Sequence, residues 1–335
     1  MTGTHVIICT HTTRHLERTL WGVSCQTDRP ASIIVSCDTD DAGIRELVSE
    51  CSARLTHRMD EGASLTIGLV QRAHQGESRS SQVRNNAVRA GMQLGWMGRS
   101  EPTGAGEKFG EASERLWFLD GDCCPVPEAQ AMHVSLGRHG GLVVGFRIDL
   151  TAEQTEAMSD ERMRQGLWPV RPTKEQMAML RWRHRRYVRA AFLRRLGLAK
   201  PHKPKLLSAN FSVGLDDYVR VNGFDEAYVG YGQEDDDLGR RLYRAGVKPV
   251  IGVGTAVAMH QWHATRAPVA WEDSPNAARF AMEFGARCRL GLDPGAGQAA
   301  PIVRVYERGE MVREEALIAG AGVRTRAAGA GVMRG

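Results

Sequence analysis

The chain has 335 residues, 42% hydrophobic and 25% charged, with 44 basic against 39 acidic side chains and hence a net charge of +5. That composition excludes disordered and collagen-like chains, and the longest apolar runs fall short of the ~18 to 20 residues that cross a bilayer. Seven cysteines, an odd number without CxxC pairs and with no signal-like N-terminus, argue against a disulfide framework or zinc knuckle and lead us to expect a cytoplasmic protein.

In chain order, THVIICT and ASIIVSC are β-branched apolar runs that predict buried parallel strands. Between them Leu16, Leu20 and Val23 share one helical face, which makes a βαβ unit. The run LTIGLV predicts a third strand and SQVRNNAVRAGMQLG a helix; a Gly-rich insertion from about Gly98 to Ser113 precedes the strand RLWFLD. GGLVVGFRI reads as one further strand. From Thr151 to about Lys205 the pattern turns helical and Arg-rich, an excursion from the sheet. LLSANFSV restores strand character, followed by the helix LDDYVRVN, the loop GFDEAYVGYGQ, the helix EDDDLGRRLYRAG and the strand VKPVIGV. The fold is expected to close near His263, leaving a partly ordered extension of progressively low complexity that ends in a flexible tail. Strands alternating with helices imply an α/β fold with helices on both faces of its sheet.

Ligands of such sheets bind at the carboxyl ends of strands, where Asp120 and Asp122 flank Gly121. Two carboxylates on one turn can share a hard divalent cation, although Asp-Gly-Asp is also a common surface turn. Glu234, Asp235, Asp236 and Asp237 open a helix. Acids favour a helix start, but four in succession repel one another, and one of them could serve as a general base. In MHQWH, His260 or His263 could complete a metal shell begun by the first acidic pair.

The order of VIICTHTTRHLERTLWGVSCQT, IIVSCDTDD, VRNNAVRAG, FLDGD and NFSVGLDDYVRVNGFDE resembles family 2 glycosyltransferases of the GT-A fold. NGFDEAYVGYGQEDDDLGRRL is similar to the carboxyl half shared by β-1,4-galactosyltransferases and chondroitin-type polymerases. The resemblance implies a Rossmann-like mixed sheet flanked by helices. It divides the chain into a nucleotide-sugar half (1–150), the Arg-rich excursion (151–205), an acceptor and catalytic half (206–265) and a C-terminal extension (266–335). It further implies an inverting, metal-dependent transfer of a galactose- or N-acetylgalactosamine-type sugar from a UDP-linked donor to a glycan, glycolipid or glycoprotein hydroxyl, as in polysaccharide biosynthesis. By position, Thr10, Asp38, Arg84 and Asp120 fall to the donor. Asp122, with His260 or alternatively His263, falls to Mn²⁺ or Mg²⁺. Asp235 matches the catalytic base, and Glu234, Asp236, Tyr231 and Asn210 the acceptor site. Gln233 departs from the pattern, standing where a glycine is usual.

Two readings of the Arg-rich segment stay open: a solvated helix beside the acceptor cleft, or a contact surface for anions that would allow peripheral attachment to the inner membrane. No nucleic-acid reader motif is present. Competing functional readings are a nucleotidyltransferase and a non-catalytic sugar- or nucleotide-binding component of a glycan-assembly complex.

Overall fold

The computed structural model describes residues 3–55, 66–98, 114–159, 170–264, 273–282, 285–293 and 300–318. The expected insertion (from residue 99 to 113), part of the Arg-rich excursion (160–169), most of DPGAGQAAP (294–299) and the tail (319–335) lie outside the described residues.

Strands β1 (Thr4–Thr10), β2 (Ser32–Cys37), β3 (Ile67–Gln71) and β4 (Arg115–Asp120) run parallel in the order β3-β2-β1-β4. Their continuous apolar runs are buried on both faces, as a parallel sheet covered by helices requires. Helix α1 (Leu16–Ser24) buries Leu16, Leu20 and Val23 as the spacing predicts. Helices α2 (Ala42–Arg54) and α3 (Ser80–Gln93) cover β2 and β3.

The second half departs from simple parallel winding. Strand β5 (Cys123–Pro125) leads to helix α4 (Ala129–Gly137), and GGLVVGFRI splits into β6 (Leu142–Val144) and β7 (Phe146–Asp149). Gly145 marks the break: a Cβ there would stand 2.9 Å from the Ala256 carbonyl oxygen and 2.9 Å from the Asn210 side chain. Helices α5 (Ala152–Glu156) and α6 (Lys174–Arg195) precede β8 (Asn210–Gly214), α7 (Leu215–Arg220), α8 (Glu234–Arg244), β9 (Pro249–Ile251), β10 (Val257–His260) and α9 (Ala277–Ala281). β8 inserts antiparallel between β4 and β6, so the large sheet is mixed, and β5, β10 and β7 form a small second sheet. Phe118 and Phe211 stack at 4.7 Å across the β4–β8 pair, with Tyr218 and Phe224 packed around them.

The fold does not close near His263. Strands β11 (Ile302–Glu307) and β12 (Glu310–Ala316) form a hairpin on the free edge of β3, completing a nine-stranded sheet. Val303 and Val305 alternate inward, an apolar period of two that a half-buried strand needs. Among the described residues no helix is long and apolar enough to cross a membrane.

Candidate active site

Asp122 sits in the turn between β4 and β5, and the small sheet brings two histidines to it. The register of β10 sets His260 opposite Cys123 on one side and opposite Asp149 on the other. Backbone bonds fasten this end: Gln261 N–H donates to the Asp122 carbonyl at 2.9 Å and Leu150 N–H to the His260 carbonyl at 2.9 Å. Asp122 Oδ2 then lies 3.4 Å from His260 Nε2 and 3.0 Å from His263 Nε2. All three ligand atoms fall within 4.8 Å of one another. Oxygen and nitrogen ligands about 2.1 Å from one octahedral cation stand about 3 Å apart when adjacent and about 4.2 Å when opposite, so the donor set fits a divalent ion such as Mn²⁺ or Mg²⁺. Both histidines reach the carboxylate; the sequence offered them as alternatives.

Without a cation, burial disfavours a charged His260, but the flanking Asp122 and Asp149 carboxylates outweigh it and lift the imidazole to about 9. Burial likewise opposes ionisation of Asp122, yet His260 holds its carboxyl well below the usual carboxylate range. Gly121 lets this turn close on β1. A Cβ there would come within 2.7 Å of the Thr10 Cβ, so Thr10 and the acidic turn share one narrow wall.

The second acidic cluster opens α8. Gln233 precedes it with φ 71°, in the left-handed region that favours glycine, and the Ser274 hydroxyl holds its side chain at 3.1 Å. The four acids then separate by helical geometry. Glu234 and Asp235 are only half-buried, whereas Asp236 and Asp237 turn inward. Burial, reinforced by the Asp235 charge, lifts Glu234 to about 7. Burial together with the Asp236 charge lifts Asp235 to about 6. Arg84 on α3 links the clusters: its Nη2 donates to Asp120 Oδ1 at 2.8 Å, and its Nε and Nη1 are buried without a hydrogen-bond partner. Burial opposes the charge of Arg84, but Asp120, Glu234 and Asp235 help to secure it.

Several expected site residues are placed differently. Asn210 does not line the cleft. It is fully buried, its Oδ1 accepting from Trp117 Nε1 at 3.0 Å and its Nδ2 donating to the carbonyls of Phe146 and Ala256 at 2.8 and 3.0 Å. It joins the large sheet to the small one, so the expected acceptor contact is corrected to a structural role. Asp236, expected at the acceptor, is 1% exposed and pairs with Lys205 Nζ at 2.8 Å. Asp38 is buried with its carboxylate already engaged, by the Arg72 guanidinium and by the Arg79 N–H at 2.8 Å. Tyr231 is 82% exposed in the loop before α8, open to a planar ligand.

Asp149 was missed by the sequence reading. Its Oδ1 lies 3.0 Å from His260 Nδ1, which fixes that nitrogen as the proton-bearing one and leaves Nε2 directed at the Asp122 cluster. Asp149→Ala is therefore expected to weaken Mn²⁺ binding about 10- to 100-fold by titration calorimetry, with the fold retained. Unchanged affinity would remove Asp149 from the site.

Residues 198–263 match the family model described as the N-terminal domain of galactosyltransferase. None of the curated proteins matches the chain by sequence. Solved structures similar to it include GalNAc-T7 with UDP, GalNAc and Mn²⁺, at 14% identity and a TM-score of 0.46 over 83% of this chain. S. aureus TarS 1–349 with UDP-GlcNAc is similar at 12% identity and a TM-score of 0.45 over 82% of this chain. The chain covers 47% of the GalNAc-T7 chain and 63% of the TarS chain, less than two thirds of either. Over residues 198–263 the chain is thus similar in sequence to a galactosyltransferase domain, and that stretch supplies β8, α7, α8, β9 and β10 of a mixed α/β fold.

Proposed function

We propose that the chain is a metal-dependent, inverting glycosyltransferase that moves a galactose- or N-acetylgalactosamine-type sugar from a UDP-linked donor to a glycan hydroxyl. The observation that carries this reading is a divalent-cation donor set of Asp122, His260 and His263, beside Arg84, which bonds Asp120 and acts electrostatically on Asp235, a half-buried carboxylate lifted to about 6. Residues 1–150 serve the nucleotide sugar and residues 206–265 the acceptor. Thr10 and Asp120 flank the donor; Asp38, through its pair with Arg72, shapes the nucleotide's end of the cleft.

Asp122, His260 and His263 would hold Mn²⁺ or Mg²⁺, which when bound neutralises a diphosphate and stabilises charge on the leaving nucleotide. Arg84 supplies a fixed positive charge from the protein side. Asp235, ionised at neutral pH, accepts the acceptor hydroxyl's proton as that oxygen attacks the anomeric carbon opposite the departing diphosphate. Glu234 orients the acceptor, and Tyr231 offers a ring for a sugar to stack on.

The test is a screen of UDP-, GDP- and dTDP-sugars for binding, hydrolysis and transfer, with Mn²⁺ and with chelator. Metal-dependent binding of one donor class is expected. Binding of none would overturn the assignment.

A further inference from the structure

Helix α6 packs one half of its circumference against the fold. Leu180 is buried, Tyr187 meets Phe146 edge-on at 6.0 Å, and Arg183 and Arg194 lie over the rings of Phe146 and Tyr243 at 4.9 and 4.1 Å. These contacts fix the rotation of the helix and thereby what it turns outward.

The outward half is neither plainly polar nor plainly apolar. Val188, Phe192, Leu196 and Trp182 are all exposed, and at 100° per residue they fall within an arc of about 120°. Phe192 is 58% and Leu196 55% exposed, and Leu198, just past the helix end, is 71% exposed. Between them on the same half stand the exposed Arg181, Arg185 and Arg189, and the Arg186 guanidinium lies 4.5 Å over the Trp182 ring. From Glu175 to Asp216 the chain carries ten Lys or Arg side chains and no acid between them. The face is thus uniformly basic and studded with large apolar groups.

A soluble polyanion would satisfy the arginines but leave the Phe, Leu and Val side chains in contact with water. An anionic bilayer satisfies both, because arginine stems lie along apolar neighbours while their guanidinium groups reach headgroup phosphates. A helix of 22 residues, about 33 Å long, presents such a surface lengthwise. We propose that the solvent-facing half of α6, continued by Leu198, docks the protein on an anionic lipid surface.

The docking stands without the transfer reading. Where that reading also holds, the Lys205–Asp236 pair at 2.8 Å sets the segment after α6 against the first turn of α8, so a membrane-borne acceptor would meet Asp235 at the lipid surface.

Flotation of the full chain with phosphatidylcholine vesicles, with and without phosphatidylglycerol, tests the proposal and needs neither donor nor metal. Binding is expected to be at least about tenfold stronger to the anionic vesicles and to fall with salt. Phe192→Ser with Leu196→Ser and Leu198→Ser keeps the charge; Arg181→Gln with Arg185→Gln and Arg189→Gln keeps the apolar groups. Each triple variant, checked for retained fold by circular dichroism, is expected to lose most of the binding. Equal binding to neutral and anionic vesicles would overturn the proposal. So would vesicle binding undiminished in the serine variant while heparin binds that variant equally well, since the face would then be a site for soluble polyanions.

Discussion

Asp235→Asn is expected to lower turnover by about 10²- to 10⁴-fold, the usual range for losing a general base, while leaving nucleotide-sugar binding intact. The amide keeps the shape of the side chain and removes the only function asked of it, accepting a proton. The pH dependence gives an independent reading. Burial and the Asp236 charge raise the Asp235 carboxyl to about 6, and Glu234 beside it rises to about 7. The two titrate as a pair. The base form is therefore scarce at pH 5 and prevails above pH 7, so kcat/KM should climb through about pH 6 to 7, well above the ordinary carboxylate range. The same raised values mean that protonation favours the folded state. This contribution is full below the ordinary carboxylate range and is lost as pH rises through about 6 to 7. Asp235→Asn should thus be slower yet no less stable at pH 8. Near-normal turnover in a folded Asp235→Asn protein would refute the assignment.

Much of the site's outline was legible in the sequence because its parts are local. A strand followed by Asp-Gly-Asp can be recognised from nearby residues, as can an acidic run opening a helix. What could not be read are relations between distant strands. Asp149 reaches His260 only because β7 and β10 pair in one register, joining residues far apart in the chain. GGLVVGFRI looks like one strand since nothing in its own apolar pattern reveals that Gly145 crosses between two sheets; the reason lies in Asn210 and Ala256, which crowd that position. Asn210 is assigned to the acceptor site by the resemblance alone, which carries no information on how its side chain is packed. Here two carbonyls, the Trp117 indole and the His133 ring satisfy it in the core. The C-terminal hairpin had a readable signal: Val303 and Val305 alternate ahead of Arg308-Gly309, both of which have positive φ. It was masked by the low-complexity sequence around it.

The acidic run also illustrates how adjacent, chemically similar residues acquire opposite roles. Asp237 is 1% exposed, and its two oxygens accept from Arg240 Nε at 3.0 Å and Arg241 Nε at 2.7 Å. Arg241, equally buried, donates from Nη1 to the carbonyls of Val221 and Gly223, each at 2.8 Å. That links α8 to the turn after α7, where Asn222 and Gly223 both have φ 66° and where a Cβ on Gly223 would stand 2.4 Å from Asn85 Oδ1. Removing the carboxylate would leave the buried Arg241 guanidinium without its hydrogen-bonded counter-charge, which costs about 3 to 5 kcal/mol. Asp237→Ala is accordingly expected to be the most destabilising single change in the run, measured as a lowered denaturant midpoint. Below its unfolding transition it should keep the ascending pH limb, since Asp235 is not a partner in that network. Asp237→Ala combined with Arg241→Met should recover part of the loss, because it removes one of the two buried guanidinium charges, Arg240 and Arg241, that Asp237 compensates. A double variant no more stable than Asp237→Ala alone would mean that Arg241 acts mainly through the Val221 and Gly223 carbonyls, with the ion pair secondary to that backbone anchor.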